Sequence, residues 1–166
     1  MSHEAHKQAA PAAVRVAVLT ISDTRTESTD TSGRAIRALL SDAGHTVVAS
    51  AIVKDDPAAV TAFVDAQVAG DAQVIITTGG TGITARDSTF EAIDALLEKR
   101  LDGFGELFRM LSYHDIGPAA MLSRACAGLA RGTVIVALPG SEPAVRLALT
   151  KLLVPELGHL VQQASA

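Results

Sequence analysis

The chain has 166 residues, of which 48% are hydrophobic, and this length and composition fit one domain with a single buried core. Its formal net charge is −4, only 3% of its residues are aromatic and it has no Trp, so it lacks the basic face and the base-stacking platforms of a nucleic-acid-binding protein. No apolar run reaches the roughly 18 residues that a membrane-spanning helix needs, so we expect neither a nucleic-acid nor a membrane partner.

The chain opens with a polar segment, MSHEAHKQAAPAA, that has no apolar stretch of the kind found in a secretory signal. We therefore predict a flexible N-terminal tail at residues 1–13, a single domain at residues 14–166 and a cytoplasmic location.

Beyond the tail, four short apolar runs rich in β-branched residues alternate with segments of helical periodicity. The predicted strands are residues 14–21, 46–53, 73–78 and 133–138. The predicted helices are residues 33–43, 57–69, 88–98, 103–113 and 143–166. Buried strands separated by helices indicate a mostly parallel sheet covered on both faces, so we expect an α/β fold, a Rossmann-like three-layer α/β/α sandwich.

Polar loops follow each of the four predicted strands. In an open parallel sheet, ligands bind beyond the carboxyl ends of the strands, so these loops are expected to meet at one site. They are residues 22–25 with 30–33, residues 54–56, residues 79–87 and residues 139–141.

The third of these loops carries three glycines, in the sequence GGTGITARD at residues 79–87. It contains a weak G-x-G-x-x-A dinucleotide pattern, but it follows the third strand and not the first, and no Lys-Ser/Thr pair makes it a P-loop. We expect its backbone N–H groups to approach an anionic ligand closely. Ser88 and Glu91, which come next, are predicted to form a capping box for the following helix.

Two carboxylates at this edge lack a capping role. Asp56 is accounted for as the cap of a helix that Pro57 opens, which leaves Asp55 free, and Asp87 precedes the predicted cap. Two carboxylates together with substrate phosphates are a common way of holding Mg²⁺. Ser141 suits either an N-cap or an anion site, and the sequence does not decide between them.

The remaining reactive side chains give no catalytic pattern. Cys126, the single cysteine, is expected to be a small buried thiol, because it has no CxxC or His partner in the sequence. Of the five histidines, His3 and His6 lie in the predicted tail, and His45, His114 and His159 have no spacing that would place two metal ligands on one face.

Taken together, seven motifs resemble the MoaB/Mog family of molybdenum cofactor biosynthesis proteins and its molybdopterin-binding domain. They occur in family order over nearly the whole chain beyond the tail, and they look most similar to the stand-alone MoaB branch. The motifs are ISDTR (residues 21–25), DTSG (30–33), IVKDD (52–56), TTGGTGITARD (77–87), DGFGELFRMLS (102–112), LSRACAG (122–128) and ALPGS (137–141).

The resemblance implies an α/β fold of the MoaB/Mog type and a molybdopterin adenylyltransferase that uses ATP and Mg²⁺. It implies that Asp55 and Asp87 are the catalytic and metal-binding carboxylates. It also implies a set of residues that bind the nucleotide and the pterin phosphate: Ser22, Gly79, Gly80, Thr81, Gly82, Arg86, Gly140 and Ser141.

The resemblance further implies a homotrimer or a dimer of trimers. For Gly103, Gly105, Glu106 and Arg109 it implies a place at the pocket and the subunit contact, whereas the residues alone are consistent with a helix start and an i,i+3 ion pair. Two alternative functions stay open: a MoaB-type module that binds molybdopterin without catalysis, and a nicotinamide-dependent oxidoreductase that rests on G-x-G-x-x-A alone.

Overall fold

The computed structural model describes residues 2–166, except for the side chain of His6. Its strands are β1 Arg15–Ile21, β2 Thr46–Val53, β3 Val74–Thr78, β4 Lys99–Arg100, β5 Cys126–Ala130 and β6 Thr133–Leu138. Its α-helices are α1 His3–Gln8, α2 Thr31–Asp42, α3 Pro57–Ala69, α4 Thr89–Leu96, α5 Asp102–Ile116, α6 Glu142–Ala148 and α7 Val154–Ala164. A 3₁₀ helix, Gly117–Leu122, follows α5, and a π-helical turn, Leu149–Leu153, joins α6 to α7. Within residues 2–166, no helix is long and apolar enough to cross a membrane.

The six strands form one sheet in the order β2-β1-β3-β6-β5-β4. The four predicted strands pair in parallel, which confirms the expected α/β architecture. The sheet also has an antiparallel edge, β5 and β4, that the sequence prediction missed. β5 has no β-branched residue, so its sequence CAGLA gave no strand signal. It is joined to β6 by Arg131 and Gly132, both with positive φ (50° and 81°), as a tight two-residue hairpin requires.

Two apolar layers cover the two faces of the sheet. Successive β1 residues alternate between them: Val16 and Val18 pack with α2 and α5 to α7, whereas Ala17 and Leu19 pack with α3 and α4. This alternation follows from the two-residue period of a strand, since neighbouring side chains point to opposite faces. The result is the predicted three-layer α/β/α sandwich.

Asp56 caps its helix as predicted, and Ser141 acts as an N-cap, one of the two roles that the sequence left open. Asp56 accepts a hydrogen bond from the Ala59 amide and Ser141 accepts one from the Ala144 amide. The capping box at Ser88 and Glu91 is wrong. Ser88 has ψ near −4°, not the extended conformation of a capping serine, and its side chain makes no capping hydrogen bond. The Glu91 carboxylate binds Arg124 instead.

The N-terminal segment contains the short helix α1, which packs on α7. Lys7 forms an ion pair with Glu156 of α7. Gly158 allows the N-terminal segment to lie directly against α7, because a Cβ on Gly158 would lie 2.3 Å from the Pro11 carbonyl oxygen. The flexibility expected for residues 1–13 stays a prediction, and Met1 lies outside the described residues.

Candidate functional site

A cavity of about 340 Å³, the central cavity, opens at the carboxyl ends of β1, β3 and β6. The chain leaves β1 for β2 on one side and returns to β3 on the other, so the cavity lies at the switch point where ligands bind in open α/β sheets. Four residues predicted from the sequence line it: Ser22, Gly79, Gly140 and Ser141. Five others complete the lining: Thr20, Ile21, Arg25, Asp30 and Thr78.

Glycines allow the loops after these three strands to approach one another. Gly79 has φ of 95°, and a Cβ there would lie 2.2 Å from the Ile21 carbonyl oxygen. A Cβ on Gly140 would lie 3.4 Å from the Cα of Gly79. Both positions expose bare backbone to the cavity, which is the arrangement that a close phosphate contact needs.

Buried hydrogen bonds hold the polar wall of the cavity in place. Asp30 is 1% exposed; its carboxylate accepts hydrogen bonds from the Thr20 hydroxyl at 2.6 Å and the Gly33 amide at 2.9 Å. The Ser32 hydroxyl donates to the Gly140 carbonyl at 2.7 Å, which links α2 to the loop after β6. The wall is therefore rigid before any ligand arrives.

One basic side chain, Arg25, lies at the edge of this cavity. Its guanidinium donates to the Thr29 carbonyl at 2.7 Å and to the Thr31 hydroxyl at 3.3 Å. The Ser22 hydroxyl accepts hydrogen bonds from the Thr24 and Arg25 amides and fixes the start of the loop. A cation beside bare backbone favours an anionic ligand, and Arg25 belongs to the ISDTR motif although the sequence did not single it out.

The two predicted catalytic carboxylates lie on the adjoining part of the same edge. Asp55 accepts a hydrogen bond from the buried Thr89 hydroxyl, two residues beyond Asp87. Asp87 accepts hydrogen bonds from the Thr84 hydroxyl and the Thr84 amide, both at 2.7 Å. The hydrogen bond from the Thr84 hydroxyl is the largest cause, and the bond from the Thr84 amide the next, that lowers the pKa of Asp87 below its usual range. The carboxylate is therefore ionised at neutral pH.

These carboxylates fit the requirements of Mg²⁺. Within the described residues, Oδ2 of Asp55 and Oδ1 of Asp87 accept no hydrogen bond, so each side chain keeps one oxygen free. A hard divalent cation that retains several waters needs few protein oxygens.

Arg124 anchors the glycine loop, although its sequence context alone indicates no role. Its guanidinium donates to the carbonyls of Thr81 and Gly82, pairs with Glu91 and lies 4.6 Å from the centre of the Phe90 ring. The loop is tight here, since a Cβ on Gly82 would lie 2.4 Å from Asp87 Oδ2. Arg124 therefore positions the loop that carries Asp87. Its position in the LSRACAG motif is the one sequence feature that could have indicated this role.

Arg124→Ala is expected to lower the free energy of unfolding by about 2 kcal/mol, because it removes several hydrogen bonds and a cation-π contact from a side chain only 24% exposed. Urea denaturation measures the change. Arg131→Ala is the matched control: this side chain is 52% exposed and pairs with Asp65, so its loss is expected to cost under about 1 kcal/mol. Equal losses in the two variants would contradict the anchoring role.

The remaining predicted binding residues do not line the central cavity. Gly80 packs between Ile21 and Thr89, with a Cβ position 3.1 Å from side-chain carbons of both. Thr81 and Gly82 lie where Arg124 binds the loop. Arg86 is exposed and, among residues 2–166, its side chain makes no hydrogen bond or ion pair. Its charge acts on the neighbouring Asp87, as one of the smaller causes of the lowered pKa of that carboxyl.

A second cavity of about 240 Å³ lies between α5 and β5 and includes Glu106, Arg109 and Cys126. The suggested Glu106–Arg109 ion pair is not present in the described structure. Arg109 donates instead to the Ala125 carbonyl at 3.0 Å and to the Ser123 carbonyl. A Cβ on Gly105 would lie 2.5 Å from the Arg109 guanidinium and 3.1 Å from the Ala125 carbonyl oxygen, so a larger residue there would displace Arg109.

Cys126 is half-buried in this cavity, in keeping with the predicted structural thiol. Burial raises its pKa to about 11 from 9.0. Two pKa units reduce the thiolate fraction at neutral pH about 100-fold, so we expect alkylation by iodoacetamide at pH 7.5 to be about 100-fold slower in the folded chain than in the urea-unfolded chain. Equal alkylation rates in the folded and the unfolded chain would show that folding does not raise the pKa of Cys126.

The same shift has a stability consequence of defined sign. Between pH 9 and 11 the unfolded thiol loses its proton while the folded thiol keeps it, so the free energy of unfolding falls as pH rises. Cys126→Ala is expected to remove this part of the slope in denaturation curves measured across that range.

Comparison with known proteins identifies the family. Residues 17–159 match the family model described as a probable molybdopterin binding domain. The chain is 54% identical to molybdenum cofactor biosynthesis protein B of Bacillus anthracis, over 96% of each chain. It is 49% identical to the protein of the same name from Bacillus subtilis strain 168, over 98% of this chain and 97% of the relative.

Solved structures agree with this assignment. A crystal structure of a molybdenum cofactor biosynthesis protein B superposes with a TM-score of 0.90 at 53% identity and covers 93% of this chain and 98% of its own. The tungsten cofactor synthesizing protein MoaB from Pyrococcus furiosus gives 0.86 at 39% identity, covering 95% of this chain and 100% of its own. The chain therefore belongs to the molybdenum cofactor biosynthesis protein B family and carries its molybdopterin-binding domain.

Proposed function

We propose that this chain binds molybdopterin and transfers an adenylyl group from ATP to its terminal phosphate. The observation that carries the proposal is the position of the two carboxylates. Asp55 follows β2 and Asp87 lies in the loop after β3, at the same edge of the sheet as the cavity that Gly79, Gly140 and Arg25 line. An edge that combines carboxylates with anion-binding backbone suits a reaction between two phosphate groups.

In the proposed reaction, an oxygen of the terminal phosphate of molybdopterin attacks the α-phosphorus of ATP. A new P–O bond forms, and the bond from the α-phosphorus to the oxygen that bridges to the β-phosphorus breaks. That oxygen leaves with the electron pair as part of pyrophosphate. The attacking phosphate is already ionised at neutral pH, so the reaction needs orientation and charge neutralisation more than a general base. The protonated thiol of Cys126 is accordingly not required as a nucleophile.

The chain's own residues would then have separate tasks. Backbone N–H groups of the loop from Gly80 to Gly82 and of Gly140 and Ser141 would orient the phosphates of the nucleotide and the pterin, whereas the Gly79 amide donates to the Leu138 carbonyl. The free oxygens of Asp55 and Asp87 would hold Mg²⁺. When bound, Mg²⁺ supplies neutralisation of the charge on the triphosphate. Arg124 would keep the glycine loop in place.

The experiment is a pyrophosphate-release assay on the purified chain. We expect release only when ATP, Mg²⁺ and molybdopterin are all present, in an amount equal to the adenylylated pterin formed. Each single omission serves as a control. Saturable molybdopterin binding with no pyrophosphate would contradict catalysis and favour the alternative of a binding module.

We also propose that the chain assembles as a homotrimer or a dimer of trimers. Large apolar side chains are exposed along α5 and the 3₁₀ helix after it, which is typical of a surface that another subunit covers: Leu107, Met110, Tyr113, Ile116, Met121 and Leu122. Light scattering should give three or six times the chain mass of 17.1 kDa. A monomer mass would contradict the assembly.

A further inference from the structure

Three potential metal ligands meet where α1 packs on α7, far along the sequence from the Asp55–Asp87 edge. His3 of α1 and Glu156 and His159 of α7 each offer one ligand atom, and these atoms all lie within 4.8 Å of one another. His3 was expected to lie in a flexible tail, and its separation from His159 along the chain gave no sign of this group. Folding brings His3 against His159, with ring centroids 5.6 Å apart, across more than 150 residues of sequence.

The surrounding contacts hold the three side chains together. Glu156 and His159 are three residues apart on one helix face, and the Glu156 Oε2 atom lies 3.0 Å from Nδ1 of His159. Lys7 binds the other oxygen, Oε1, and so leaves Oε2 turned toward the histidine. The close passage of the Pro11 carbonyl over Gly158 keeps the N-terminal segment on α7, which brings His3 into reach.

We propose that His3, Glu156 and His159 form a binding site for a divalent transition metal of the Zn²⁺ type. Two imidazoles and one carboxylate are a ligand set that Zn²⁺ accepts, with a fourth position open to water. Ligand atoms of a tetrahedral zinc are about 3.3 Å apart, so small side-chain rotations from the present spacing complete the site. His159 is only 19% exposed, which limits the rotamers that metal binding must restrict.

Binding at this site would tie the N-terminal helix to the C-terminal helix. Its chemistry separates it from the Asp55–Asp87 edge, because an oxygen-only pair of ligands suits Mg²⁺ whereas imidazole selects a transition metal. The inference therefore stands independently of the proposed adenylyl transfer.

Calorimetric titration of the metal-free full-length chain with Zn²⁺, in millimolar Mg²⁺ to saturate oxygen-only sites, tests the proposal. We expect one Zn²⁺ per chain, and a loss of affinity of about 100-fold in His3→Ala and in His159→Ala, since each removes one of three ligands. His114→Ala is the matched control, because His114 is an exposed histidine outside the cluster, and it should bind as the unmodified chain does.

A second measurement tests whether Zn²⁺ holds α1 against α7. Zn²⁺ is expected to slow tryptic cleavage after Lys7 in the unmodified chain and not in His3→Ala, whose substitution lies in a short terminal helix and leaves the sheet intact. Absence of a one-to-one Zn²⁺ event, or equal Zn²⁺ affinity in the unmodified chain and either His variant, would overturn the site.

Discussion

Asp87→Asn is expected to lower pyrophosphate release by on the order of 100-fold or more, because it removes a negative charge from the edge where Mg²⁺ and the triphosphate are proposed to bind. The amide keeps an oxygen that can accept the hydrogen bonds of the Thr84 hydroxyl and amide, so the loop should retain its conformation. Steady-state release at saturating ATP and molybdopterin measures the effect, with circular dichroism as the check on folding.

Asp56→Asn is the matched control for the loss of one carboxylate at the same edge. Asp56 caps α3 through the Ala59 amide, and Asn caps equally well, so both activity and stability should stay close to those of the unmodified chain. Pyrophosphate release that continued unchanged in Asp87→Asn would remove Asp87 from the mechanism.

Gly79→Ala is expected to lower the free energy of unfolding by at least about 3 kcal/mol. Two costs combine at this position. Its φ of 95° disfavours any residue with a Cβ, and that Cβ would lie 2.2 Å from the Ile21 carbonyl oxygen, which is fixed in β1. Relief would require β1 and β3 to separate where the central cavity is built. Chemical denaturation measures the loss.

Gly44→Ala separates the two costs. Gly44 also has a positive φ, 86°, just after α2, but a Cβ there would have no neighbour within 4 Å. We expect a loss of about 1–2 kcal/mol, the cost of the backbone conformation alone. Equal losses at Gly44 and Gly79 would show that the close approach of the β1 and β3 loops contributes nothing to stability.

The parallel part of the sheet could be predicted because its strands have a strong local signal. Runs such as residues 133–138 are apolar and β-branched, and turn residues border them. The antiparallel edge carried no such signal: β4 has two residues, and β5 is made of small residues whose strand conformation depends on pairing with β6. Pairing with β6 therefore makes β5 a strand, although its local sequence shows no strand preference.

The candidate site likewise contains residues that the sequence predicts and residues that it does not. The glycines and carboxylates could be proposed as site residues because each is unusual in its local sequence, such as an Asp without a capping role. Arg124 was missed because its function depends on carbonyls more than forty residues earlier in the chain. The capping box failed for a related reason, since Glu91 has a stronger partner in Arg124, whose hydrogen bond lowers the pKa of that carboxylate. His3 and His159 likewise meet only in the folded chain.

A crystal structure with molybdopterin, Mg²⁺ and a non-hydrolysable ATP analogue would show where the phosphates and the metal ion bind. We predict phosphate oxygens about 2.7–3.2 Å from backbone nitrogens of the Gly80–Gly82 loop and of Ser141, and Mg²⁺ in contact with Asp55 and Asp87. Phosphates bound instead in the cavity of Arg109 and Cys126, or Mg²⁺ held without either carboxylate, would rule out the proposed adenylyl-transfer site.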